Sequence, residues 1–128
     1  MKRHFGVFAA AVAGLLVAQT TVAQRPEPNA FLNRPAHTVS QLVAQVKSDP
    51  QVARRFMDHY RMDRKGVVAY LSAMRLVRLE EPGYYKVYNI NDQGKVTGRM
   101  FNLKKGTLIW AEPDGTLALR KACGNPMA

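Results

Sequence analysis

The chain has 128 residues, with 19 Lys+Arg against 9 Asp+Glu and a formal net charge of +10. That length allows one compact domain, and 47% hydrophobic residues is too many for a disordered chain. One cysteine excludes an internal disulfide and any Cys-rich zinc or disulfide scaffold.

The chain opens Met1-Lys2-Arg3-His4, followed by Phe5 to Ala18 without a charged residue and then Gln19-Thr20-Thr21-Val22-Ala23. A basic start, an apolar run of 14 residues and small residues at Thr21 and Ala23 resemble a bacterial-type signal peptide over residues 1–23. The competing reading is an uncleaved anchor. Fourteen residues at helical rise span about 21 Å, short of a bilayer core of about 30 Å. The expectation is therefore export to the periplasm or beyond, cleavage after Ala23, and no transmembrane helix thereafter. The mature chain would hold 17 basic and 9 acidic residues, so the cationic surplus is not a by-product of the leader. Such a charge favours an anionic envelope polymer or an acidic protein as partner. The bland alternative is a solvated basic surface with no dedicated ligand.

Residues 24–37 contain Pro26, Pro28 and Pro35 and read as an extended linker, with Phe31 and Leu32 available to tack it onto the domain. Residues 38–128 form the domain. Thr38 can cap a first helix, with Gln41 completing a capping box; Val39, Leu42, Val43 and Val46 give its apolar stripe. Asp49 and Pro50 suit the cap and first position of a second helix, whose apolar face is Val52, Phe56 and Tyr60 with Ala53 and Met57. Asp63 can cap a third helix carrying Val67, Tyr70, Leu71, Met74 and Val77, and Glu81-Pro82-Gly83 ends the helical half.

From Tyr84 the period changes to two. Four strands are expected at 84–90, 95–103, 107–111 and 116–121, separated by turns at Asn91–Gly94, Lys104–Gly106 and Glu112–Gly115. Turns this short predict a meander of neighbouring antiparallel pairs. The expected class is α+β, with three short N-terminal helices packed on one face of a four-stranded antiparallel sheet.

Candidate chemistry is sparse. Cys123 reads as a buried small side chain, as an intermolecular disulfide, or as a nucleophile needing His37 or His59. His59 lies near the apolar stripe, where a packed histidine is the simpler account. With Asp63 alone at ligand spacing, no metal site is expected. Glu80 and Glu81 could serve acid–base work, but adjacent side chains diverge. No nucleophile elbow, zinc-binding helix or phosphate loop is present, and no cofactor is expected. The candidate partner-binding residues are Arg54, Arg55, Arg61, Arg64 and Lys65 around the second helix, and Lys86, Arg99, Lys104 and Lys105 on the sheet. Lys95, Arg120 and Lys121 decorate the sheet as well, among Tyr84, Tyr85, Tyr88, Phe101 and Trp110. Basic residues among aromatics can bind single-stranded nucleic acid, yet alternation turns about half of those aromatics inward and export argues against a gene-regulatory role. The expected function is an exported basic interaction module. A structural subunit, such as a homodimer assembling through Cys123 or a sheet edge, is the alternative, and a small hydrolase the second.

Overall fold

The computed structural model describes residues 27–128. The expected signal peptide at 1–23 and its cleavage position lie outside the described residues, as do residues 24–26 of the expected linker.

The three helices occupy α1 Val39–Ser48, α2 Pro50–Tyr60 and α3 Arg64–Ser72. Each begins at the residue whose side chain can replace the missing backbone acceptor. Thr38 Oγ1 accepts the Gln41 N–H at 3.1 Å. Asp63 Oδ1 accepts the Gly66 N–H at 2.7 Å. Gln41 reaches back one residue further than a capping box requires, accepting the His37 N–H at 2.7 Å. Asp49 closes α1 by donating its N–H to Gln45 O at 2.9 Å, and its carboxylate caps α2 through Gln51 N–H at 3.0 Å. Pro50 follows at the first helical position, where no donor is needed. Arg61 ends α2 in the left-handed region, at φ 56°.

Asp49 also accepts from Asn33 Nδ2 at 2.9 Å, tying the N-terminal segment to the α1–α2 junction. Burial pushes its carboxyl pKa up, but the hydrogen bonds from Asn33, Val52 and Gln51 and the Arg34 charge outweigh that, so the pKa lies below its ordinary 3.8. A depressed pKa contributes stability that is present above the ordinary value and is lost as pH falls through the lowered one. Asp49→Ala is therefore expected to lose about 1–2 kcal/mol at neutral pH. Urea titrations across the acid range check this: the gap between wild type and variant closes as Asp49 protonates.

Residues 30–36 are where the linker expectation changes. Ala30, Phe31, Leu32 and Ala36 are fully buried, and Phe31 and Leu32 join the apolar stripes of all three helices in one cluster. The segment bends at Phe31, Asn33 and Arg34 and stays on the domain. Outside any helix or strand, it satisfies its buried backbone groups elsewhere. Asn33 N–H and Arg34 N–H both donate to the Gln45 side chain, at 2.8 and 3.0 Å. Leu32 N–H donates to Cys123 O at 3.1 Å, and Phe31 N–H to Asn125 Oδ1 at 2.8 Å.

The sheet departs from the expected four-stranded meander. There are five strands: β1 Arg75–Arg78, β2 Gly83–Ile90, β3 Val96–Leu103, β4 Leu108–Ala111 and β5 Leu117–Arg120. They form a three-stranded antiparallel sheet of order β1-β4-β5 and a separate β2-β3 hairpin. The third helix stops at Ser72 and does not reach Val77. Met74 and Val77 keep a helical spacing, but Arg75-Leu76-Val77-Arg78 also alternates, and pairing decides between the two. Val77 lies opposite Ile109 and Leu76 opposite Trp110. Leu79 continues this edge, donating its N–H to Thr107 O and accepting from Gly106 N–H, both at 2.8 Å. Strand β1 thus takes the β4 edge that the meander assigned to β3.

The hairpin then folds over. Trp110 and Leu119 face the helical cluster. Ile109, Val77 and Leu117 pack on the opposite side against Tyr85, Phe101 and Leu103 of the hairpin. The hairpin spans both clusters: Tyr85, Phe101 and Leu103 pack on the sheet, while Ile90 and Val96 at its other end pack into the helical cluster. Burying both faces of the short sheet lets it form a core without longer strands.

The C-terminal tail joins the layers. Gly124, at φ 73°, turns the chain so that Asn125 O accepts the Arg120 N–H at 3.0 Å and the Met127 N–H reaches Ala118 O at 2.7 Å. Pro126 bridges Leu119 and accepts the Tyr88 N–H of β2 at 2.8 Å. Proline can accept there without a donor of its own.

Candidate functional site

The cationic residues expected around α2 do not act as one group. Arg55 is half-buried and donates Nη1 to Phe31 O at 2.9 Å and to Asn33 Oδ1 at 2.9 Å. It fastens the N-terminal segment and is not presented to a partner. Arg54, Arg61, Arg64 and Lys65 are exposed. They alternate in sequence with Asp58 and Asp63, which dilute their field.

The second group is more coherent because the hairpin places it. Tyr88 and Ile90 of β2 donate their N–H groups away from β3, to Pro126 O and Asn29 O. By alternation, Tyr85, Val87 and Asn89 therefore make the ladder with Phe101, Arg99 and Thr97. By the same alternation, Gly98, Met100 and Asn102 turn their backbone groups outward on the far side of β3. No strand pairs with that side among the described residues.

Side chains alternate too. Val87, Asn89 and Leu103 are buried on the inner face. The opposite face is open at one end, with Tyr84 opposite Asn102 and Lys86 opposite Met100, and is covered at the other, where Ile90 and Val96 pack into the helical cluster. Tyr84 is 70% exposed and Met100 60% exposed, the two largest exposures among the big apolar residues described. Lys86 Nζ stands 5.4 Å from the Tyr88 ring centroid, and its stem lies over Gly98, where a Cβ would meet it at 2.7 Å. On the inner side Arg99 and Arg120 guanidiniums lie 5.5 and 5.8 Å from the Phe101 ring centroid.

From Gly94 to Gly106 the chain carries Lys95, Arg99, Lys104 and Lys105 and no acidic residue. All four are exposed. Asp92 lies in the adjoining turn and Glu80–Glu81 precede β2. None of them forms an ion pair with these cations. Among the described residues the one pair within 4.0 Å joins Arg120 to Glu27. Burying or pairing so few charges leaves the hairpin potential screened only by solvent and salt.

The other candidates have structural roles. Cys123 is fully buried, and burial raises its thiol pKa to about 11, so a bridge to another chain has no exposed sulfur to use. The backbone around it holds Leu32. His37 Nδ1 accepts from Lys121 Nζ at 2.6 Å, and His59 Nε2 donates to Ala128 O at 2.8 Å. Neither histidine is engaged by the thiol. The His59 ring is packed between Phe31, Tyr60 and Tyr88, with centroids 4.8–5.8 Å away. Glu80 and Glu81 line a shallow depression of ≈ 400 Å³ with Arg75, Arg78 and Tyr85. The Tyr85 hydroxyl donates to the Glu81 backbone O at 2.6 Å, and Glu80 and Glu81 are both exposed. Among the described residues no group of three or more His, Cys, Asp or Glu could hold a metal ion. No described helix is long and apolar enough to cross a membrane.

Sequence reasoning missed Tyr84 and Met100 as outer-face residues and missed the open edge beside them. The parity signal existed for the first pair: Tyr84, Lys86 and Tyr88 share one face, Tyr85 and Val87 the other. The edge carried no such signal, since it exists only because β1 displaces β3 from β4. Comparison with protein-family models, curated proteins and solved structures returns no significant match.

Proposed function

We propose that the protein is an exported, non-enzymatic basic interaction module whose hairpin face binds an anionic component of the cell envelope. The observation that carries this reading is the acid-free run from Gly94 to Gly106, whose four cations stay exposed on β3 and in the turns at its two ends. Export rests on the signal-like residues 1–23. The buried thiol of Cys123 weighs against the disulfide-linked subunit, and the dispersed histidines and carboxylates supply no constellation for a hydrolase.

The test is retention of the protein on its own isolated envelope at two salt concentrations. A chain recovered from that fraction would begin at Gln24. Exposed charges are screened over about 8 Å at physiological ionic strength. Retention is expected to be strong at low salt and to fall by about tenfold or more at several times physiological salt. Retention that is indifferent to salt contradicts an electrostatic interface.

A further inference from the structure

We infer that the outer edge of β3 accepts an extended acidic peptide segment as an added antiparallel or parallel strand. The inference rests on the basic-module reading and gives it a partner and a binding mode. Strand β3 runs for eight residues and is paired on one side only among the described residues. Gly98, Met100 and Asn102 present outward N–H and C=O groups in a row, with the exposed Met100 and Tyr84 beside them. An unpaired edge of this length is a template for another strand.

The occupant follows from charge. A second copy laid antiparallel along the same edge would bring Lys95 of each chain towards Lys104–Lys105 of the other and the two Arg99 side chains near one another, where like charges repel. Residues 1–26 contain Lys2, Arg3 and Arg25 and no acidic residue, so they lack the side chains that these cations would select. A segment with acidic side chains along it meets Lys95 at one end, Arg99 in the middle and Lys104–Lys105 at the other. Main-chain hydrogen bonds supply the pairing and those cations supply the selection. The same cations keep copies of the protein apart, which is how natural edge strands avoid self-association.

The test uses the protein from Gln24 onward and a short capped peptide of alternating Glu and Thr, titrated at low salt. Amide hydrogen exchange at Gly98, Met100 and Asn102 is expected to slow when the peptide binds. Met100→Pro removes one outward donor without touching the β2–β3 ladder. It is expected to weaken binding by about tenfold, and Lys104→Glu/Lys105→Glu to weaken it by a comparable factor. Should the proline variant misfold, the wild-type exchange measurement decides alone. Unchanged exchange at the three amides, with Met100→Pro binding as wild type and only the charge reversals losing affinity, overturns strand addition and leaves the basic-face reading standing. Protection of the same amides by self-association without peptide overturns the choice of occupant. No binding of the peptide by the wild type overturns strand addition, while salt-dependent retention on the isolated envelope decides the basic-face reading separately.

Discussion

Replacing Phe31 by alanine is expected to lower the unfolding free energy by about 3–5 kcal/mol, measured by urea denaturation. The side chain is fully buried, its ring centroid lies 5.1 Å from that of Phe56, and it packs edge-on to His59 at 5.8 Å. Its backbone is held at the same time by Asn125 and Arg55. Removing the ring leaves a cavity between α2 and the C-terminal tail that neither can easily close, since both are fixed by other hydrogen bonds. A tether outside the domain would tolerate the change within about 0.5 kcal/mol. A loss that small would mean the N-terminal segment does not belong to the core.

Gly124→Ala is expected to cost about 2–5 kcal/mol. Two effects add. At φ 73° an L side chain costs about 1–2 kcal/mol. A Cβ there would also lie 2.5 Å from Leu32 Cγ, closer than real atoms approach, so Leu32 or the tail must shift. Overpacking of this kind costs about 1–3 kcal/mol. Gly94→Ala separates the two. Its φ is 80°, but nothing lies within 4 Å, so it should show only the backbone part, about 1–2 kcal/mol. Equal losses in the two variants, by thermal or urea unfolding, would show that the Leu32 contact is absent. The Gly124-Asn125-Pro126 turn thus holds the N-terminal segment on one side and β2 on the other.

Much of this fold can be read from the sequence because local chemistry decides it. Thr38, Asp49-Pro50 and Asp63 mark the three helix starts, since a short polar side chain at a helix N-terminus answers unsatisfied N–H groups wherever the helix ends up. The turns at Asn91–Gly94 and Glu112–Gly115 are equally local: Asn91 Oδ1 accepts from Gln93 and Lys95 N–H, and Asp114 Oδ1 from Thr116 N–H. What escapes the sequence is decided by distant partners. Arg75–Arg78 is a strand because β4 offers an edge, a fact about residues 30 to 36 positions away. Ala30, Phe31, Leu32 and Ala36 are core because Asn125 and Gln45 satisfy the backbone of their segment. Those two long-range facts determine the candidate site. Once β1 occupies β4, β3 has no neighbour, and its basic, acid-free stretch becomes an open edge. The charges were visible in the sequence and the edge was not. Arg55 illustrates the reverse: it counts as a cation in the sequence, while in the fold its guanidinium serves backbone carbonyls.

The central claim is that the binding surface is the hairpin and not basicity in general. Charge reversal at two places, compared for retention on isolated envelope at one low salt concentration, tests it most directly. Arg99→Glu/Lys104→Glu/Lys105→Glu is expected to lower retention by at least about tenfold. Arg54→Glu/Arg64→Glu/Lys65→Glu shifts net charge by the same amount and is expected to change it by no more than about threefold, since those residues share their surface with Asp58 and Asp63. Equal losses from the two triple variants, with both proteins folded, would contradict the account.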